Sequence, residues 1–165
     1  MNLYLRQLSV DDGKDVYAML KDIEEVENSF TNPVKQMSYA QYREWLIQQD
    51  NWHRGVNLPD GYSAQTIYWL MMDEIPVGIG KIRHRLTESS RINGGNIGYA
   101  IATAYRCRGL GTELLRLLLK KAKQISCSEI LLTVDKNNFA SRSVIEKNGG
   151  RFIKEDDQRW FFSVY

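Results

Sequence analysis

The first apolar segment, LYLRQL from Leu3, alternates apolar and polar side chains, the period of a strand with one face buried. Ser9 to Asp12 follow with side chains that cap helices, ahead of Val16, Met19, Leu20 and Ile23 at helical spacing. Ser38 predicts the N-cap of a second helix over 39–50, in which Tyr39, Tyr42, Trp45 and Leu46 recur on one face. Residues 51–64 hold Gly, Pro and Asp-Gly turn signals and read as a loop. Two strands, 65–72 and 77–86, are joined by the turn at 73–76, which makes a hairpin; a polar loop over 87–95 leads to a third strand, 96–102.

The period then changes. Leu110, Leu114, Leu115, Leu117, Leu118 and Ala122 mark an apolar helix over 109–123, and the continuous apolar run at 129–135 predicts a strand buried on both faces. Asn138 opens another helix, which Asn148, Gly149 and Gly150 terminate. Two short strands, 151–155 and 159–165, close the chain. The predicted order is β α α β β β α β α β β, with no repeat and no linker, so 1–165 is read as one domain.

Composition narrows the class. With 165 residues, 43% hydrophobic and 25% charged, the chain has the make-up of a globular domain. At this size folding hides about 70% of the unfolded chain's surface, enough for one core. No apolar run approaches the roughly 20 residues that span a bilayer, and the first residues lack the pattern of a signal peptide, so the expected location is the cytoplasm, away from membranes. Cys107 and Cys127 have no metal-ligand spacing; both are read as thiols, and no metal is expected.

The net charge of +2 hides its placement. Residues 81–123 carry ten basic side chains and two acids, a net +8, and the remainder carries −6. A solvated helix face is one of two readings for the cluster at 116–123 taken alone, an anion-facing surface the other. The aromatic residues are not interleaved with the basic ones, which argues against a nucleic-acid surface.

The sharpest signal is Tyr105-Arg106-Cys107-Arg108-Gly109-Leu110-Gly111-Thr112, between a strand and the apolar helix. Glycines 109 and 111 let backbone N–H groups approach a ligand, and the helix they open presents its unpaired N–H groups and positive dipole end. Such a junction suits an anion, most naturally a pyrophosphate. A nucleotide-hydrolysing loop would need Lys-Ser/Thr after the last glycine, whereas Thr112-Glu113 stand there. The dinucleotide fingerprint needs a third glycine that is missing. A tight strand-to-helix turn with surface arginines would also account for the two glycines by themselves.

Arg106-Cys107-Arg108-Gly109-Leu110-Gly111 resembles the Gln/Arg-x-x-Gly-x-Gly/Ala motif of the GNAT superfamily of acetyl-CoA-dependent N-acetyltransferases, and Asn138 to Gly150 resembles its Asn-containing helix ending in Glu-Lys-x-Gly. The resemblance implies an α/β fold in which a mixed, mostly antiparallel sheet is flanked by helices. It implies acetyl-CoA as cofactor and direct transfer to a primary amine, on a small molecule or a peptide, within a ternary complex. In the family the strand before the motif splays and offers backbone groups to the pantetheine and acetyl carbonyl; here that is Tyr99 to Thr103, with Ile101 nearest the thioester and Ala102 and Thr103 after it. The amides of Arg106, Cys107, Arg108, Gly109, Leu110, Gly111 and Thr112 would hold the pyrophosphate. Asn138 and Ser141 match positions on the pantetheine side, and a helix N-cap is the structural alternative for Asn138.

The chain departs from the family at the catalytic positions. The tyrosine thought to protonate the leaving thiolate is replaced by Ile145, and the third-strand base would fall near Gly95 or Ile97, neither of which titrates. An alkyl amine of pKa about 10.4 is neutral only about once in 2,500 at pH 7, roughly 4.6 kcal/mol, so deprotonation needs help. Tyr99, on the face of Ile97 and Ile101, is the candidate acid, with a half-buried strand tyrosine as the alternative; His84 is the candidate base, with a surface strand histidine as the alternative. Glu24 and Glu25, in a cluster with Glu27, are read as recruiting a cationic amine, with a solvated acidic turn as the alternative, and Trp52, in its loop, as part of a lid over it. Absence of the usual acid motivates a second reading, a CoA-binding module without turnover. Homodimer formation through the terminal strands is a further expectation.

Overall fold

The computed structural model describes residues 1–27, 30–125 and 129–165; Cys127 lies outside them. Strand β1 (Leu3–Gln7) leads into helix α1 (Lys14–Lys21), then a small antiparallel hairpin of β2 (Val26–Glu27) and β3 (Phe30–Thr31), a 3₁₀ turn at Pro33–Gln36 and helix α2 (Tyr39–His53). Strands β4 (Gln65–Met72) and β5 (Ile75–Arg83), short helix α3 (Glu88–Ile92), strand β6 (Ile97–Ile101) and a 3₁₀ turn (Thr103–Tyr105) follow. Helix α4 (Leu110–Gln124), β7 (Ile130–Asp135), α5 (Phe139–Lys147), β8 (Arg151–Glu155) and β9 (Arg159–Val164) complete the order.

The strands form two antiparallel sheets in place of one continuous sheet: β1-β4-β5-β6 and β7-β9-β8, besides the small hairpin. They meet at the Asn96–Leu131 corner. There the Asn96 amide donates to the Leu131 carbonyl (2.8 Å) and the Leu131 amide to Asn96 Oδ1 (2.8 Å). Gly95 sits in this corner at φ 58°, where a Cβ would lie 2.3 Å from the Leu131 carbonyl oxygen, so a side chain would push the sheets apart. Beyond it, no backbone hydrogen bond joins β6 to β7 among the described residues.

Two cores follow from strand alternation. Tyr68, Leu70 and Ile82 face α4, whose Leu114, Leu115 and Leu118 are fully buried; burial of each such leucine stabilises the fold by about 2 kcal/mol. Gly80 lets the helix close on the sheet, since a Cβ there would lie 2.5 Å from the Leu118 methyls. On the other face Ile67, Trp69 and Ile79 pack against Val16, Leu20, Tyr42 and Trp45 of α1 and α2.

Local departures from the sequence reading have physical causes. None of Ser9 to Asp12 caps α1; its N-cap is Gly13, while the buried Asp12 carboxylate accepts from the Ser9 amide, the Arg6 guanidinium and the Trp69 indole. Ser38 does cap α2, in a reciprocal box with Gln41. Helix α2 runs three residues past 50, so Trp52 is helical; the turn signals act only after His53. The loop over 87–95 contains α3, nucleated by a Thr87–Ser90 box. The β4–β5 turn is shorter than 73–76, since Met72 already pairs with Ile75. Strand β7 alternates buried and half-buried positions, because only the face of Ile130, Leu132 and Val134 joins the core. The Schellman bonds from Gly149 and Gly150 to Glu146 and Ile145 end α5 as expected. No helix among the described residues is long and apolar enough to cross a membrane.

Candidate active site

A cavity of about 920 Å³ follows the free edge of β6, lined by residues from both faces of that strand. The Ala102 amide donates to the Val77 carbonyl on β5 (2.9 Å). Antiparallel ladders alternate, so the N–H groups of Tyr99 and Ile101 point the other way, toward the gap between the sheets. The Ile101 carbonyl on that side accepts from Arg106 Nε (3.1 Å).

At one end of the cavity lies the turn into α4. Cys107 has φ 63° and Gly109 φ 76°, so two left-handed residues within three fold the chain tightly before the helix. A non-glycine residue in that region costs about 1 kcal/mol or more, a strain that concentrates at ligand sites. No amide from 107 to 112 donates a hydrogen bond to another group among the described residues, and Glu113 is the first to donate back, to the Gly109 carbonyl. A Cβ on Gly111 would meet only Val144, at 3.8 Å, so packing does not require glycine there and the open side faces the cavity. Unpaired amides at the positive end of a 15-residue helix fit a pyrophosphate.

The sequence-derived residues divide. Tyr99, Ile101, Arg106, Cys107, Gly109, Leu110, Gly111, Thr112, Asn138, Ser141 and Trp52 line the cavity. Ala102 and Thr103 do not: Ala102 is buried against α1 and α2, and Thr103 donates its amide (3.1 Å) and hydroxyl (2.8 Å) to the Asp22 carbonyl. Arg108 is exposed, its guanidinium 5.5 Å from the Tyr105 ring, and only its backbone shares the turn. Asn138 caps α5 by accepting from the Ser141 amide (3.1 Å), and it borders the cavity as well.

Tyr99 and Ser141 share a hydrogen bond of 2.7 Å between hydroxyls. Burial pushes the Tyr99 phenol up to about 12, opposed by the bond to Ser141, so it stays protonated at neutral pH. Ile145 is buried in the core and lines no part of the cavity.

His84 is not brought to the cavity. Its Nε2 lies 2.7 Å from the Thr66 hydroxyl and its ring meets His53 edge-on; burial and then the His53 charge hold its pKa below the ordinary value. Glu24 and Glu25 are exposed and line no part of the cavity, since the chain turns there to enter β2. Glu27 does line it, and its carboxylate is ion-paired with Arg106, tying the β2–β3 hairpin to the turn before α4.

The other end holds residues that sequence reasoning used only in a charge count. Lys81 and Arg83 project from β5 on the face of Ile79, with Gln65 of β4 and Gln49 of α2 beside them. Gln65 Nε2 donates to Gln49 Oε1 (2.9 Å). Burial, and then the Arg83 charge, brings the Lys81 ammonium down to about 8. Arg83 Nη1 donates to the Gly95 carbonyl (3.1 Å). The signal was there: two cations at i and i+2 on a strand whose other positions are apolar or glycine. The remaining cations of α4, from Arg116 to Lys123, line no part of the cavity, and Arg116 pairs with Glu113 (2.5 Å).

The geometry has counterparts. RimL, a ribosomal alpha-N-protein acetyltransferase solved with coenzyme A, superposes with a TM-score of 0.74 at 12% identity, covering 99% of this chain and 94% of that one. The Campylobacter jejuni N-acetyltransferase PseH solved with acetyl coenzyme A gives 0.64 at 13% identity, covering 99% and 98%. A putative GNAT-family acetyltransferase from Bordetella pertussis gives 0.68 at 17%, covering 99% and 95%. At such identities the likeness is one of fold. No curated protein matches the sequence. A family model described as an acetyltransferase (GNAT) domain matches residues 2–151. With that match over most of its length, and with the split sheets and glycine turn in place, the chain belongs to the GNAT acetyltransferase family.

Proposed function

We propose that this protein is an N-acetyltransferase that uses acetyl-CoA and a primary amine in a ternary complex. The observation that carries the reading is the set of unpaired amides at 107–112, in a turn whose residues 107 and 109–112 line one cavity with Tyr99 and Ile101. Bound there, acetyl-CoA supplies an activated acetyl group as a thioester.

Each role falls to a group of this chain. The amides of 107–112 and the α4 dipole hold the pyrophosphate, and Asn138 and Ser141 border the pantetheine. The outward Ile101 N–H, fixed by β6, stabilises charge on the carbonyl oxygen as it develops, while that of Tyr99, about 7 Å away along the strand, is left for the pantetheine; removing one such oxyanion donor commonly costs about 3 kcal/mol. Tyr99 would donate its phenolic proton to the departing sulfur as the C–S bond breaks and regain one released by the attacking nitrogen, with Ser141 orienting the hydroxyl. The amine is helped to its neutral form by surroundings that already hold the Lys81 ammonium at about 8, because burial and neighbouring positive charge penalise any second ammonium in the same space.

The second reading, a CoA-binding module without turnover, draws on the burial of Ile145 at the family's acid position. Thermal shift with CoA and release of free thiol from acetyl-CoA across a panel of amines separate the two. Stabilisation with thiol release supports transfer; stabilisation with silence across polyamines, aminoglycosides, amino acids and N-terminal peptides supports the module. Failure of CoA to stabilise the protein removes both.

A further inference from the structure

The acceptor end of the cavity carries the wrong charge for a polyamine. Glu27 is the one carboxylate on the cavity wall among the described residues, and it is ion-paired with Arg106. Lys81 and Arg83 stand about 7 Å apart along β5. Neither has a carboxylate within ion-pair distance among the described residues.

Both cations are half-buried and line the cavity. Lys81 pairs in register with Gly98 of β6, which has no side chain to cover it, and its Nζ lies 5.8 Å from the centre of the Phe30 ring. Arg83 spends one N–H on the Gly95 carbonyl, and a guanidinium has five to give. The surrounding wall is made of amides and aromatic rings: Gln49, Gln65, Trp52 and Tyr62, the last two in edge-on contact with ring centres 5.5 Å apart. Two unpaired cations in a desolvated space repel each other and lose hydration, and an anion placed between them relieves both costs.

Building on the N-acetyltransferase reading, we infer that the amine acceptor bears an anionic group, a carboxylate or a phosphate, and that Lys81 and Arg83 receive it. The acceptor class is therefore an amino acid or an amino-phosphate compound. Polyamines and aminoglycosides, which bring only positive charge, are excluded by the same two side chains.

The test uses matched amines on the CoA-saturated protein, so that the phosphate turn is already filled. β-Alanine is compared with β-alaninamide for the carboxylate arm, and phosphoethanolamine with ethanolamine for the phosphate arm. Calorimetric titration reads binding, and thiol release from acetyl-CoA reads turnover. The acidic member of at least one pair binds about 10-fold more tightly than its neutral or cationic counterpart, as a charge-assisted contact allows. Lys81→Gln and Arg83→Gln each erase most of that preference while the stabilisation by CoA is retained. Equal binding within both pairs overturns the inference, and so does equal loss of turnover toward acidic and neutral acceptors in Lys81→Gln, which would make the lysine a base. Preferential binding of the acidic member without thiol release upholds the anion site and removes the acetyl-transfer reading, so the two can fail separately.

Discussion

The two ends of the cavity present positive potential by different means. At α4 the donors are backbone amides, held by a turn with two left-handed residues and needing no particular side chain. At β5 the donors are two side chains whose position depends on strand register and on glycine at 98. Backbone recognition leaves a local sequence signature, because only a few residue types permit the turn. Side-chain recognition on a sheet face leaves almost none, because its meaning comes from what the partner strand and the helices beyond it do.

Substitutions can break this contrast at either end. The largest effect is expected for Gly111→Glu, which places a carboxylate among the unpaired amides. Stabilisation by CoA should vanish in a thermal shift assay, while the melting temperature without ligand stays within a few degrees, since a Cβ at 111 has only Val144 near it. Unchanged CoA affinity would remove the phosphate assignment. Next, Tyr99→Phe removes the phenol but keeps the ring: turnover should fall about 100-fold with CoA affinity preserved. A matching fall in CoA affinity would make Tyr99 a structural partner of Ser141 and no more.

Smaller effects come from protonation. Lys81 loses its proton at about 8 when folded and at 10.5 when free, so the native state binds fewer protons between those values and stability rises with pH across that window. The gain is on the order of 3 kcal/mol, and Lys81→Gln should flatten it in chemical denaturation at pH 8 and pH 10. The other charged or titratable groups on this cavity wall are Arg83, Glu27, Tyr62, Tyr99, Tyr105, Arg106 and Cys107, which the substitution leaves in place. Tyr99 acts with the opposite sign: its raised value keeps a proton on the native state between 10 and about 12, so stability falls as pH rises there. A Lys81→Gln protein that keeps the full alkaline gain would mean the ammonium is solvated and the β5 end is open to water.

How much the sequence reveals follows the same division. The period of α4, the caps at Ser38 and Asn138, the Gly149–Gly150 terminator and the turn at Gly109 are local, and all were legible. Asp12 has the look of a cap, as any carboxylate near a helix start does, while the fold spends it on the Trp69 indole 57 residues away. Trp52 was misread as loop because Gly55, Pro59 and Gly61 follow it, and turn signals mark where a helix must have ended, not where it does. His84 and Glu24 were chosen by residue type, yet strand pairing and chain direction turn them from the cavity. Lys81 and Arg83 were counted within a basic stretch whose α4 members are a solvated face. Only the register of β4, β5 and β6 separates the two groups.

One cavity joins the turn into α4 to the free edge of β6. Amide chemical shifts recorded during titration with CoA test it most directly. Saturating shifts at residues 107–112, together with Tyr99 and Ile101 and with little change at Gln49 and Gln65, are predicted. Shifts confined to other surfaces, or none in 107–112, would contradict it.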